Sequence, residues 1–235
     1  MIAVLVNCAS VIAGSLVGLI FCKKINDNLS DIVCCGAGVV TMVIGFQMAF
    51  QYKSVVILAL SLIMGGIIGT WLDIDGKILA LGKFLETKFS KKEEQSGKQN
   101  FAYAFLNASV LFCVGAMAVL GSFNAGINKD YTLIFTKSIL DGFMAIVFAA
   151  AMGIGTAFSA ITVFVYQGLL TLCSTWIAPY VTEEMLTELS AVGGAAIVMI
   201  GMNLLKLRTI KTANYLPAII LAVVFVIIKN AFIPS

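Results

Sequence analysis

Residues 133–152 read LIFTKSILDGFMAIVFAAAM, an apolar run in which Lys137 and Asp141 are the only charged side chains. A helix of about 20 residues rises about 30 Å, the thickness of a bilayer's hydrocarbon core. A charge at the centre of such a helix costs about 2.5–3.5 kcal/mol on insertion scales, so it faces protein or a water-filled cavity rather than lipid. Lys137 and Asp141 stand one helical turn apart, on one face, where each partly neutralises the other. The stretch therefore predicts a membrane-spanning helix with an ion pair on its inner face.

The whole chain agrees with that reading. Sixty per cent of its residues are hydrophobic and only 11 % are charged, and the mean hydropathy is +1.04. A soluble domain carries about 25 % charged residues, so this chain could not cover a water-facing surface. The expected class is an all-α polytopic membrane protein, one integral domain over 1–235. Apolar runs predict eight spans, near 2–21, 31–51, 54–72, 101–120, 133–152, 155–177, 187–206 and 213–231. Met1–Phe21 lacks a basic leading region and a small-residue cleavage site, so it reads as a retained span rather than a signal peptide.

One connection is long and polar, 73–100. Its first half, Gly76–Phe89, places Ile78, Leu81, Leu85 and Phe89 at helical spacing among Lys77, Lys83 and Lys88, the pattern of an amphipathic helix on an anionic membrane face. Its second half, Ser90–Lys98, reads as solvated linker. Connections after spans 1, 3, 5 and 7 hold Lys23, Lys24, Lys77, Lys83, Lys88, Lys91, Lys92, Lys98, Lys206, Arg208 and Lys211. The other side holds only Lys53, Lys129 and Lys229. Basic residues concentrate on the cytoplasmic side, which places both termini outside and the amphipathic segment inside.

Aligning Asn28–Met48 with Glu184–Leu204 sets Gly38 on Gly194, Ile44 on Ile200, Gly45 on Gly201 and, chemically, Gln47 on Asn203. Span 2 then matches span 7 five crossings later, so spans 1–3 and 6–8 would run in opposite directions. Inverted repeats of this kind build many secondary transporters, with the site near the midplane.

Asp141 is the leading candidate for a binding residue, because a midplane carboxylate can hold a proton or Na⁺. Lys137, one turn outward, would tune it or attract an anionic group. The structural alternative is that Lys137 snorkels outward and Asp141 is its counter-ion. Gln167, mid-span beside Gly168, with Asn107, Ser109, Gln47 and Asn203, would supply neutral contacts. Gly142, Gly153 and Gly155 are candidate hinges, although Gly153–Ala160 reads equally as a tight turn. In span 1, Ser10, Gly14 and Gly18 read as close helix packing, and Asn7 could line a polar path. Glu183, Glu184 and Glu188 read as a solvated helix start. Asp73 and Asp75 before Gly76 resemble a fragment of a calcium loop without the later ligands, and read as interface polar residues.

Other chemistry is excluded or unsupported. The chain has no histidine, and its six cysteines, without a CxxC pair, read as packing residues. No nucleophile stands with a base, and no metal motif or phosphate-cradling loop appears, so neither enzyme activity, a cofactor nor a nucleic-acid partner is expected.

Phe112–Ser122, Lys137–Gly142, Gly153–Gly155, Phe158–Ala160 and Tyr166–Gly168, with Leu5–Asn7 and Leu189–Gly194, resemble the YqgA/YdfK-like bacterial membrane proteins over essentially the whole chain. The resemblance implies a bacterial cytoplasmic membrane and a family of unknown function in which transport is suspected. It adds no substrate and no catalytic residue. The family pattern would have proline where Ala116 stands, which removes the expected cause of a kink in span 4. The function expected is a secondary transporter or channel-like protein for a small solute or ion, cation-coupled through Asp141. The alternative is a non-transporting scaffold or regulatory protein in which the Lys–Asp pair is structural. Glycine-lined faces also admit a homodimer.

Overall fold

Backbone N–H and C=O groups find no water in hydrocarbon, so a chain this apolar crosses it as helices. A computed structural model of the chain describes residues 1–22, 27–78, 80 and 101–232. The helices are α1 (Ile2–Cys22), α2 (Asp27–Ala49), α3 (Val55–Trp71), α4 (Phe101–Cys113), α5 (Ala116–Ile127), α6 (Thr132–Met152), α7 (Gly155–Leu172), α8 (Glu183–Leu204) and α9 (Leu216–Phe232). A helical stretch at 74–78 follows α3, and no strand occurs among the described residues. Most of the expected amphipathic helix and the linker after it lie outside the described residues.

Six of these helices are long and apolar enough to cross a membrane, and α4 with α5 forms a seventh, bent by 62°. The remaining expected span is α3, whose 17 residues sit at the lower limit for crossing. Boundaries shift in two places. The sixth span stops at Leu172, and the chain turns through Ser174–Ile177 instead of continuing its helix. The eighth starts with a 3₁₀ turn, Thr212–Tyr215, before α9.

Span 4 is kinked without the family's proline. Gly115 adopts φ 124°, ψ 153°, a region essentially closed to residues with a Cβ, and the helix stops and restarts across it. Gly155 of α7 packs against Phe101 and Ala104 of α4, and Gly126 of α5 packs against Thr171 and Ser174. The two half-helices together run the length of α7, so they form one broken span rather than a loop that re-enters its own side.

Close contacts fix the helix directions. Ser10, Gly14 and Gly18 of α1 meet Gly142, Ala145 and Ala149 of α6 in ascending order, so α1 and α6 are parallel. Ser109 of α4 bonds Thr162 of α7, and with the Gly155 contact this makes α4 and α7 parallel. Gly38 and Gly45 of α2 meet Gly201 and Gly194 of α8, an antiparallel pair, as are Gly65 and Gly69 of α3 with Ala218 and Asn214. Odd expected spans are thus parallel to odd and antiparallel to even. Gly153, with φ 89°, makes the tight turn between α6 and α7.

Candidate functional site

The site is built outward from α6. Lys137 Nζ donates to both carboxylate oxygens of Asp141, at 2.6 and 2.5 Å, and the two residues are only 6 % and 7 % exposed. The i, i+4 spacing supplies this geometry within one helix, but a carboxylate has lone pairs left over. α1 fills one of them. Small residues let α1 lie against α6: Ser10 Oγ donates to the Ser138 carbonyl at 2.6 Å, and a Cβ on Gly14 would collide with Gly142. That approach delivers Asn7, whose Nδ2 donates to Asp141 Oδ2 at 3.1 Å and to Gln167 Oε1 of α7 at 3.0 Å.

Asn7 therefore joins three helices. Its amide orientation follows from the network, since turning it over would set Oδ1 against a carboxylate, and Asn7 in turn orients Gln167. Two buried atoms are left without a partner, Asn7 Oδ1 and Gln167 Nε2. One is an acceptor and one a donor, both at the rim of the ion pair.

The break in span 4 lies close by. Cys113 is within electrostatic reach of Lys137 and Asp141. The first amide of α5, Ala116 N–H, donates to Ser190 Oγ of α8 at 2.8 Å. Val114 packs over Gly193, and Met48 of α2 reaches Gly115. A cavity of about 400 Å³ runs from Ile78, Phe105 and Leu216 near the lysine-rich face to Cys113 and Val114 at the break. Its polar lining is limited to Ser109, Cys113, Thr162 and Tyr166, and neither Lys137 nor Asp141 opens onto it.

The sequence candidates separate into groups. Asp141, Lys137 and Gln167 come together. Ser109 lies on the cavity wall, bonded to Thr162 at 3.0 Å. Asn107 belongs to a different cluster near the lysine-rich face, accepting from Thr212 Oγ1 at 3.4 Å. Gln47 is exposed on α2. Asn203 closes the turn after α8, bonding both N–H and C=O of Ile210 at 2.7 and 2.8 Å. Gly142 lies inside continuous α6 against Ser10, while Gly153 and Gly155 bound the α6–α7 turn.

The acidic start of α8 is not solvated throughout. Glu184 pairs with Lys229, but Glu188 is fully buried. Its Oε1 accepts from the Lys53 and Ser54 N–H groups at 3.0 and 2.7 Å, so it caps the start of α3 from another helix. Helix N-termini carry unpaired N–H groups and partial positive charge, which is why a carboxylate settles there. At the lysine-rich face, Asp31 pairs with Lys206 at 2.9 Å, and that hydrogen bond raises the Lys206 pKa.

The profile of the family described as "Protein of unknown function (DUF554)" matches residues 2–227. The chain is 30 % identical over 236 residues to "Uncharacterized membrane protein YdfK" of Bacillus subtilis (strain 168), covering 99 % of this chain and 98 % of that protein. It is 23 % identical over 217 residues to "Uncharacterized protein YqgA" of Escherichia coli (strain K12), covering 92 % of each. No solved structure matches.

Proposed function

The chain belongs to the DUF554 family, and from that premise we propose a secondary transporter for a small solute or ion, with its binding centre at Asp141, Lys137, Asn7 and Gln167. It would work in a bacterial cytoplasmic membrane with the lysine-rich face inward. The observation that carries this reading is a buried ion pair whose amide extension leaves one acceptor and one donor open. A polar ligand bearing both functions would complete those two atoms. A cation or proton arriving at Asp141 would compete with the Lys137 ammonium and free it for an anionic group.

Two further features support transport. Broken helices commonly frame transporter sites, and Gly115 breaks span 4 beside this centre. The antiparallel contacts of α2 with α8 are also those that an inverted repeat would make. Exchanging each residue for its aligned partner turns Gly38–Gly201 into Gly194–Gly45, Gly38–Leu205 into Gly194–Ala49, and Met42–Gly201 into Val198–Gly45, and all of these contacts exist. A Cβ on Gly45 would lie 2.8 Å from the Gly194 carbonyl oxygen, and one on Gly201 2.9 Å from that of Gly38.

One observation favours the alternative, a structural ion pair in a scaffold or regulatory protein: Asp141 is sealed, and the cavity ends at Cys113 without reaching it. Under the transport reading this is an occluded arrangement, and solute reaches Asp141 only when α1 and α6 shift against α7. The experiment is flux in proteoliposomes, read with an entrapped pH dye under imposed Na⁺, K⁺ or H⁺ gradients. Asp141→Asn is expected to remain folded and to abolish flux. A folded wild type with no flux under any gradient would overturn the transport reading and leave the scaffold reading in its place.

A further inference from the structure

The cavity of about 400 Å³ that ends at the break in span 4 stays outside the proposed binding centre. Apart from Ser109, Cys113, Thr162 and Tyr166, its wall is aliphatic or phenyl. Those four ask for little. Ser109 Oγ donates to Thr162 Oγ1 at 3.0 Å within the wall, and a thiol and a tyrosine ring pack as mainly apolar groups. Among the described residues, none of the buried polar atoms left without a partner lies on this wall. Water needs several polar partners to stay in a cavity, so neither water nor a polar solute finds its hydrogen bonds here. Emptiness is also unfavourable, because wall atoms that face a void lose dispersion contacts.

The placement of the cavity narrows the choice of occupant. α4 packs on α6 and α7, whereas α9 packs on α3 and α8. The cavity follows the seam between these two sets. Phe105, Thr162, Tyr166, Leu189, Leu216 and Ile219 on its wall are half-buried rather than sealed, so the seam is open to what surrounds the helices. Val114 at the deep end stands midway between Phe101 and Ile127, the two ends of the broken span. From Phe105 to Cys113 a helix rises about 12 Å, close to the half-thickness of a hydrocarbon core about 30 Å thick. The cavity therefore spans one leaflet, from the lysine-rich surface to the midplane.

We infer that this cavity holds one hydrocarbon chain of a phospholipid from the leaflet on the lysine-rich side, its end resting against Cys113 and Val114. The lining matches the chain's chemistry, and the one-leaflet depth matches its length. Lipid tails are as apolar as leucine, so the chain enters without a hydrophobic gain. Packing favours it, since the chain restores the dispersion contacts that the wall lacks. The headgroup would stay at the surface, where Lys77 and Asp73 precede Ile78 and Lys211 precedes Leu216, all three charged residues exposed. Charges of both signs stand there, so selection rests on the chain and not on a headgroup of one sign. The proposal is independent of transport, because a scaffold would hold the chain equally well.

The test reconstitutes the full chain into vesicles of equal parts phosphatidylethanolamine and phosphatidylglycerol. A phosphatidylethanolamine with a photoactivatable diazirine at the end of one chain is added, and adducts are mapped by peptide mass spectrometry. Adducts are expected at Val110 and Cys113, and at Phe105 and Leu216 when the diazirine is moved next to the ester. Val110 is buried, so lipid on the outer surface does not reach it, whereas exposed Ile161, Phe164 and Ile220 report that surface lipid. Adducts confined to those exposed residues overturn the proposal, as do wall adducts that ignore the diazirine's position. Ile219→Trp narrows the cavity and is expected to lower the Cys113 adduct about tenfold, or about 1.4 kcal/mol, with surface adducts unchanged. Should that variant not fold, Val110→Phe fills the same space from α4 and carries the same expectation. An undiminished Cys113 adduct in a folded variant overturns the proposal. A diazirine fatty acid that labels the wall where the phospholipid does not would make the occupant a free fatty acid and likewise overturn it.

Discussion

Span 5 and span 4 handle polarity in opposite ways. α6 carries two charges and runs unbroken from Thr132 to Met152, whereas α4 and α5 carry none and are bent by 62° at Gly115. In α6 the polar cost sits in side chains that stand four apart and neutralise each other, so the backbone ladder stays intact. In the broken span it sits in backbone groups released around Gly115, and another helix answers them, through Ser190 at Ala116. Hydropathy sees the first span as the flawed one, yet the flaw in its backbone belongs to the second.

Breaking the α6 pair from one side should have the largest effect. Asp141→Leu leaves a buried ammonium without its partner and is expected to cost about 3–5 kcal/mol. Adding Lys137→Met should recover most of that, which chemical unfolding of the single and double variants in detergent would show. A double variant no more stable than the single would mean that Asn7 and Gln167, not the lysine, dominate the carboxylate's environment.

The broken span should respond to the backbone instead. Gly115→Ala forces a side chain into a glycine-only conformation and is expected to cost about 1–3 kcal/mol. A wild-type-like unfolding midpoint would mean that the break tolerates a Cβ by relaxing toward Met48. Ser190→Ala removes the acceptor for the Ala116 N–H and should cost about 1 kcal/mol. Its effect should vanish in a background where the break is already disrupted. At the bottom of the scale, Asp31→Asn removes an exposed ion pair with Lys206, and no measurable change in unfolding temperature is expected.

What could be read from the sequence follows the same division. The Lys137–Asp141 pair was legible because its partners lie on one helix, where spacing dictates geometry. Asn7 is 134 residues from Asp141, and no local pattern reveals such a contact; the available sign was a lone amide in the first apolar span. The break at Gly115 was hidden because it is one glycine among 21, and the proline that would have marked it is replaced by Ala116. Glu188 was misread because acidic residues at a helix start are usually solvated, and nothing local shows that the start of another helix covers this one. Gln47 and Asn203 align in the expected repeat, but Gln47 is exposed on α2 and Asn203 serves its own turn.

The Glu188 cap ties the start of α3 to α8. The amide protons of Lys53 and Ser54 are held by a carboxylate that belongs to another helix, so fraying of α3 alone cannot release them. Their exchange with solvent deuterium should follow the separation of α3 from α8 and be slower than that of an ordinary helix terminus. The amides that lead into α3 thereby become a clock for the opening of the bundle at the face opposite its lysines.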